Sequence, residues 1–173
     1  MRVADPRRLT LGVLVPIAVL AMTGVAGGAI WVWWADPPAR ADATASNLAL
    51  LVAHQFSVDG SYAVVGVVLG LVAGTALAWR LRSVGWPLVV GVSLGGAAAA
   101  AVSYGVGMLW GPEPSPGTER GAWLSGGMSV HAPGVYLTWP VSAVLGLLVV
   151  VWLTDRAGDR TGEGNVTELS HST

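Results

Sequence analysis

Four long apolar runs, separated by stretches rich in Pro, Gly and charge, set the pattern of this chain. No charged residue interrupts Leu9 to Trp34, Ser61 to Trp79, Pro87 to Trp110 or Tyr136 to Leu153. A helix crossing the hydrocarbon core of a bilayer needs about 20 mostly apolar residues. Each run is therefore read as one transmembrane helix, over residues 9–34, 61–79, 87–110 and 136–153. The pattern predicts an all-α membrane protein, its four transmembrane helices arranged as two hairpins. Residues 1–153 make up this transmembrane domain, and the largely polar residues 154–173 read as a disordered cytoplasmic tail. The first run is longer than the 7–15 apolar residues of a cleavable signal and ends in Trp31, Trp33 and Trp34, so it is expected to be retained. Pro16, which lacks an N–H, should kink it near the cytoplasmic end.

The loops carry their own patterns. In the first outer loop, Leu48, Leu51, Val52 and Phe56 recur at the spacing of a short amphipathic helix lying on the membrane surface. Asp59 or Ser61 then suits the N-cap of the second span. In the second outer loop, the residues around Gly126-Gly127 have the pattern of a small β-hairpin.

Composition sharpens the membrane reading. Of 173 residues, 53% are hydrophobic and 11% charged, whereas a soluble domain carries about 25% charged residues. Every one of the nine basic residues is Arg, which fits a GC-rich, actinobacterial coding background. The net charge of −1 gives no reason to expect a nucleic-acid partner. With no Cys, a disulfide framework, a Cys-based zinc site and a thiol nucleophile are excluded.

Charge also orients the spans. With the N-terminus inside, Arg2, Arg7, Arg8, Arg80, Arg82, Arg156 and Arg160 face the cytoplasm, and Arg40 and Arg120 lie outside. Lys and Arg favour the cytoplasmic side, so both termini are expected in the cytoplasm of a bacterial inner membrane. Trp favours the membrane–water interface. Trp31, Trp33, Trp34, Trp110 and Trp139 fall at the expected outer boundaries and Trp79, Trp86 and Trp152 at the inner ones, which leaves Trp123 in a loop.

Helices in lipid associate through close packing of small residues. Gly66, Gly70 and Gly74 recur every four residues in the second span, and Gly91 and Gly95 in the third, with Ala99, Ser103 and Gly107 in the same register. The short connection from Arg80 to Trp86 predicts that the second and third helices meet along these faces. The two halves of the chain also share a faint parallel pattern: Trp34-Ala35-Asp36-Pro37 against Trp110-Gly111-Pro112-Glu113, and Trp79-Arg80 against Trp152 with Asp155-Arg156.

The search for chemistry yields little. No phosphate loop, nucleophile elbow or HExxH motif is present. Proton and ion pathways use ionisable groups within the membrane, and the four predicted spans contain none. Their hydroxyls, among them Thr23, Ser93, Ser103, Tyr104 and Ser142, are expected to bond nearby carbonyls. Asp59, His54 and His131 are the candidates for an extracytoplasmic site; no catalytic, cofactor or metal site is assigned.

A set of short motifs resembles a family of small actinobacterial four-helix membrane proteins of unknown function. They are Phe56-Ser57-Val58-Asp59-Gly60-Ser61-Tyr62, Ala78-Trp79-Arg80-Leu81-Arg82, Leu94-Gly95-Gly96, Leu109-Trp110-Gly111-Pro112 and Tyr136-Leu137-Thr138-Trp139-Pro140, covering roughly Phe56 to Leu153. The resemblance implies the four-helix topology and the inner-membrane location, and it supplies no activity. The resulting expectation is a structural or accessory subunit of a membrane complex, not an enzyme, with the bilayer and another membrane protein or a second copy of itself as partners. The alternatives are a small transporter or channel component acting as an oligomer and an envelope or lipid enzyme.

Overall fold

The computed structural model describes residues 6–35, 48–111, 130 and 132–170, with side chains described over 10–35, 53, 56–111, 130 and 132–156. Four α-helices run through these residues: α1 (Pro6–Trp34), α2 (Leu48–Leu81), α3 (Trp86–Trp110) and α4 (Thr138–Ser170), the last preceded by a 3₁₀ turn over Pro133–Leu137. Each contains a segment long and apolar enough to cross a membrane: Thr10–Trp34, Phe56–Leu81, Trp86–Trp110 and Pro133–Arg156.

Two helices are longer than the apolar runs predict. α2 begins at Leu48, so the expected surface helix and the second span are one continuous helix. No N-terminus therefore exists at Asp59 or Ser61 to be capped, and the Ser61 hydroxyl instead donates to the Val58 carbonyl of the preceding turn at 3.0 Å. The two segments fuse because Asp59-Gly60 disfavours a helix only modestly, and extending an existing helix carries no new nucleation cost. The same argument applies to α4, whose backbone is helical through Ser170 where a disordered tail was expected from residue 154. The expected β-hairpin around Gly126-Gly127 lies outside the described residues.

The turn from α2 to α3 is tight. Val84 N–H donates to the Leu81 carbonyl at 2.9 Å and Leu88 N–H to the Gly85 carbonyl at 3.1 Å. Gly85 has φ of 81°, in the left-handed region that glycine enters without a Cβ clash. Pro87 then sits in the first turn of α3, where a missing N–H costs nothing.

This short turn does not make α2 and α3 packing partners, and that expectation is corrected. α1 packs chiefly on α3, and α2 on α4, while α2 barely touches α3. Both major pairs are parallel, because contacts climb both sequences together. Gly91 lies against the Gly12 carbonyl, Gly95 against Pro16 and Ile17, Gly24 against Ala99, and Gly28 against Ser103 and Val106. In the other pair, Gly66 faces Thr138 and Trp139, Gly70 faces Ser142, Gly74 faces Ala143, and Gly146 faces Leu71 and Thr75. The glycine faces read from the sequence thus lie at contacts, but with α1 and α4 as partners. A repeating small-residue face tells how near a neighbour can come and carries no information on which helix it is. Pairing first with third and second with fourth, each in parallel, is the arrangement that two similar halves around an axis along the bundle would adopt.

α1 continues through Pro16, which is fully buried. At the turn end of the bundle, Arg82 lies over the Trp79 ring at 5.9 Å and Arg156 over the Trp152 ring at 3.7 Å. The corresponding helices of the two halves therefore carry a similar Trp–Arg stack at this end of the bundle.

Candidate functional site

The largest buried side chains gather at the opposite end of the bundle, where α1 and α3 finish and α2 and α4 enter the core. Trp31 and Trp139 are both completely buried, with Tyr62 almost so. Both rings thus turn into the bundle, although they lie near the ends of Thr10–Trp34 and Pro133–Arg156 where the outer boundaries are expected. By contrast Trp33, Trp34, Trp79, Trp86, Trp110 and Trp152 are exposed, as rings meeting lipid headgroups would be. The difference lies in what faces each ring. Gly107 lies beneath the Trp31 ring, and Gly27 and Gly66 border Trp139. The missing side chains leave room for indoles that would otherwise have to point outward.

The rings form an edge-to-face chain. Trp31 meets Tyr62 at a centroid distance of 5.0 Å and an angle of 77°. Tyr62 meets Tyr136 at 5.8 Å and 71°, and Tyr136 meets Tyr104 at 5.5 Å and 85°. Such geometry sets a positive ring edge on a negative ring face. The three tyrosines are all the chain has, and they come from α2, α3 and the 3₁₀ turn before α4.

Hydrogen bonds lock this chain to the backbone. The Trp31 Nε1–H donates to the Val58 carbonyl at 3.0 Å, joining α1 to α2. The Tyr62 hydroxyl donates to the Ala100 carbonyl at 2.8 Å, joining α2 to α3. Ser142 donates to the Gly66 carbonyl at 3.0 Å and also bonds within its own helix, joining α4 to α2. Thr138 closes the 3₁₀ turn on the Val135 carbonyl at 2.7 Å.

Among the described residues, two buried side-chain polar atoms stand outside this network: the Ser103 hydroxyl and the Trp139 indole N–H make no hydrogen bond. A buried polar group without a partner costs about 1–3 kcal/mol. Other span hydroxyls behave as expected. Thr23 bonds the Val19 carbonyl and Ser93 the Val89 carbonyl, both at 2.9 Å.

Asp59 lies at the open edge of the aromatic chain. It is half-buried and within electrostatic range of the Tyr136 hydroxyl. The longer α2 also puts it within Phe56–Leu81, the part of the helix long and apolar enough to cross a membrane. His54 precedes it by five residues on α2, which places the two about 140° apart around the helix axis and about 7.5 Å apart along it. The His54 side chain and His131 lie outside the described residues. Among the described residues, no cluster of three metal-ligating side chains occurs.

Sequence reasoning found Asp59 but missed Trp31, Tyr62, Tyr104, Tyr136 and Trp139 as one cluster. One signal was present: Trp31 and Trp33 lie about 160° apart around a helix, so the two cannot meet the same surroundings.

The chain matches no family model, no curated protein and no solved structure. The family resemblance drawn over Phe56 to Leu153 therefore rests on the residues quoted for it, and no activity is carried over from a relative.

Proposed function

We propose that the chain is a multi-pass protein of a bacterial inner membrane, with both termini in the cytoplasm, serving as a structural or accessory subunit of a larger membrane complex. One observation carries this reading. The space among the four helices at the aromatic end is filled by Trp31 and Trp139, packed against glycines, and by Tyr62, edge-to-face with Trp31. A bundle closed in this way is suited to holding a fixed shape and presenting its outer faces to a neighbour. Mild cross-linking of native membranes followed by recovery of the tagged full chain tests it. A stoichiometric membrane-protein partner supports the reading, and recovery of the chain alone at native abundance counts against it.

The transport or channel alternative draws on the buried, unpartnered Ser103 hydroxyl. Its other hydroxyls are engaged elsewhere, since Ser93 bonds the Val89 carbonyl and the Tyr104 ring packs on Tyr136. This alternative requires an oligomer with a wetted lumen, which mass measurement in detergent combined with single-channel recording would reveal.

A further inference from the structure

On the outward face of α2 a groove of about 560 Å³ is lined by Leu71, Val72, Thr75, Ala76, Trp79 and Arg80. Its two ends differ in chemistry. From Leu71 to Ala76 the walls are apolar apart from the Thr75 hydroxyl. At the other end it is lined by Trp79 and Arg80, in the last turn of α2. Nine helical rises separate Leu71 from Arg80, so the groove runs for about 14 Å. That is close to half of the ~30 Å hydrocarbon core, the depth of a single leaflet.

Charge at the headgroup end is one-sided. Among the described side chains there, Arg80, Arg82 and Arg156 face a single carboxylate, Asp155. Arg82 and Arg156 are stacked on Trp79 and Trp152, whereas Arg80 is the cationic residue among those lining the groove. An apolar trough of leaflet depth that ends in Trp and Arg matches a molecule with an acyl chain joined to an anion. Guanidinium groups suit phosphate oxygens in geometry and charge, and the indole suits the ester region between chain and headgroup.

We infer that this groove is a binding site for one anionic phospholipid, its acyl chain along Leu71, Val72 and Ala76 and its phosphate on Arg80 beside Trp79. The site rests on the membrane-spanning reading of α2 but not on the accessory role, so it can fail while that role stands.

Native mass spectrometry of the full chain in detergent tests it, using dioleoyl phosphatidylglycerol and dioleoyl phosphatidylcholine as probes. Wild type should retain one phosphatidylglycerol about fivefold more strongly than phosphatidylcholine, the worth of one Arg near an anionic surface. Arg80→Gln should abolish that preference and Arg80→Lys should keep most of it. Val72→Trp, which fills the trough, should weaken both lipids. Arg156→Gln, on the neighbouring helix, should leave the preference unchanged. Equal retention of the two lipids by wild type would overturn the site, as would an unaltered preference in Arg80→Gln. Loss of the preference in Arg156→Gln would replace the site with a diffuse charge effect. Displacement of the phosphatidylglycerol by soluble glycerol phosphate would remove the acyl chain from the proposal.

Discussion

The Trp31 indole donates to the Val58 carbonyl at 3.0 Å, across the junction of α1 and α2. The same carbonyl accepts from the Ser61 hydroxyl, so it keeps a donor when the indole is removed. Trp31→Phe should therefore cost only the worth of one hydrogen bond, roughly 0.5–1.5 kcal/mol. Trp31→Ala should cost about 3–5 kcal/mol, because the ring leaves a hole over Gly107. Unfolding in detergent, followed by circular dichroism, separates the two. Equal losses would mean that the ring contributes little.

Gly70 and Ser142 make a second pair whose sizes are matched. A Cβ on Gly70 would run into the Ser142 hydroxyl. Gly70→Ala should destabilise the bundle by about 1–3 kcal/mol through overpacking, and Gly70→Leu should prevent assembly. Adding Ser142→Ala to Gly70→Ala should recover part of the loss, giving a non-additive double-mutant cycle. The recovery stays partial because the Trp139 carbonyl lies 3.0 Å from the same Cβ position.

Gly60 and Gly105 supply the opposite case. Each lies inside a helix with nothing within 4 Å of the Cβ position. Exchange to Ala should be neutral or stabilising, by up to about 1 kcal/mol, as helix propensity dictates. A loss at Gly60 comparable to that at Gly70 would point to an unseen neighbour on that face.

The proposed inward orientation of both termini can be tested directly, because the chain has no Cys. A single Cys replacing Ser83 in the α2–α3 turn should react with a membrane-impermeant maleimide only after the inner membrane is opened. One replacing Ala132, before the 3₁₀ turn, should react from the periplasmic side in spheroplasts. The reverse pattern would invert the topology and leave the packing described above untouched.

The four helices long and apolar enough to cross a membrane are legible in the sequence because one property, an unbroken apolar run of sufficient length, decides them. Their ends are less so. The start of α2 at Leu48 is hidden because an amphipathic stretch and a fully apolar one join without a change of helical phase. The burial of Trp31 and Trp139 is not legible, because the interfacial preference of Trp speaks of depth and not of which way around the helix the ring faces, and Gly107 and Gly66 make room for them inside. The candidate site follows the same logic. Asp59 is visible as a lone acid, but its neighbour Tyr136 comes from α4's side of the bundle, and no spacing along the chain announces that encounter. Partner choice among helices is likewise a property of three-dimensional shape, so the short connection and the glycine faces together point to α2 with α3 where the bundle pairs α1 with α3 and α2 with α4.

Parallel pairing bears on how the protein is made. The bond from Ser142 to Gly66 spans 76 residues, and the α1–α3 contacts reach equally far along the chain. At ~5–20 residues per second, roughly 4–15 s of synthesis pass after a glycine of the first hairpin emerges before its counterpart exists. During that interval the backbone-exposing faces of α1 and α2 meet lipid, insertase or chaperone rather than their final neighbours. The second hairpin thus completes the first, and the two halves expressed separately would have to find each other in the membrane before either became stable.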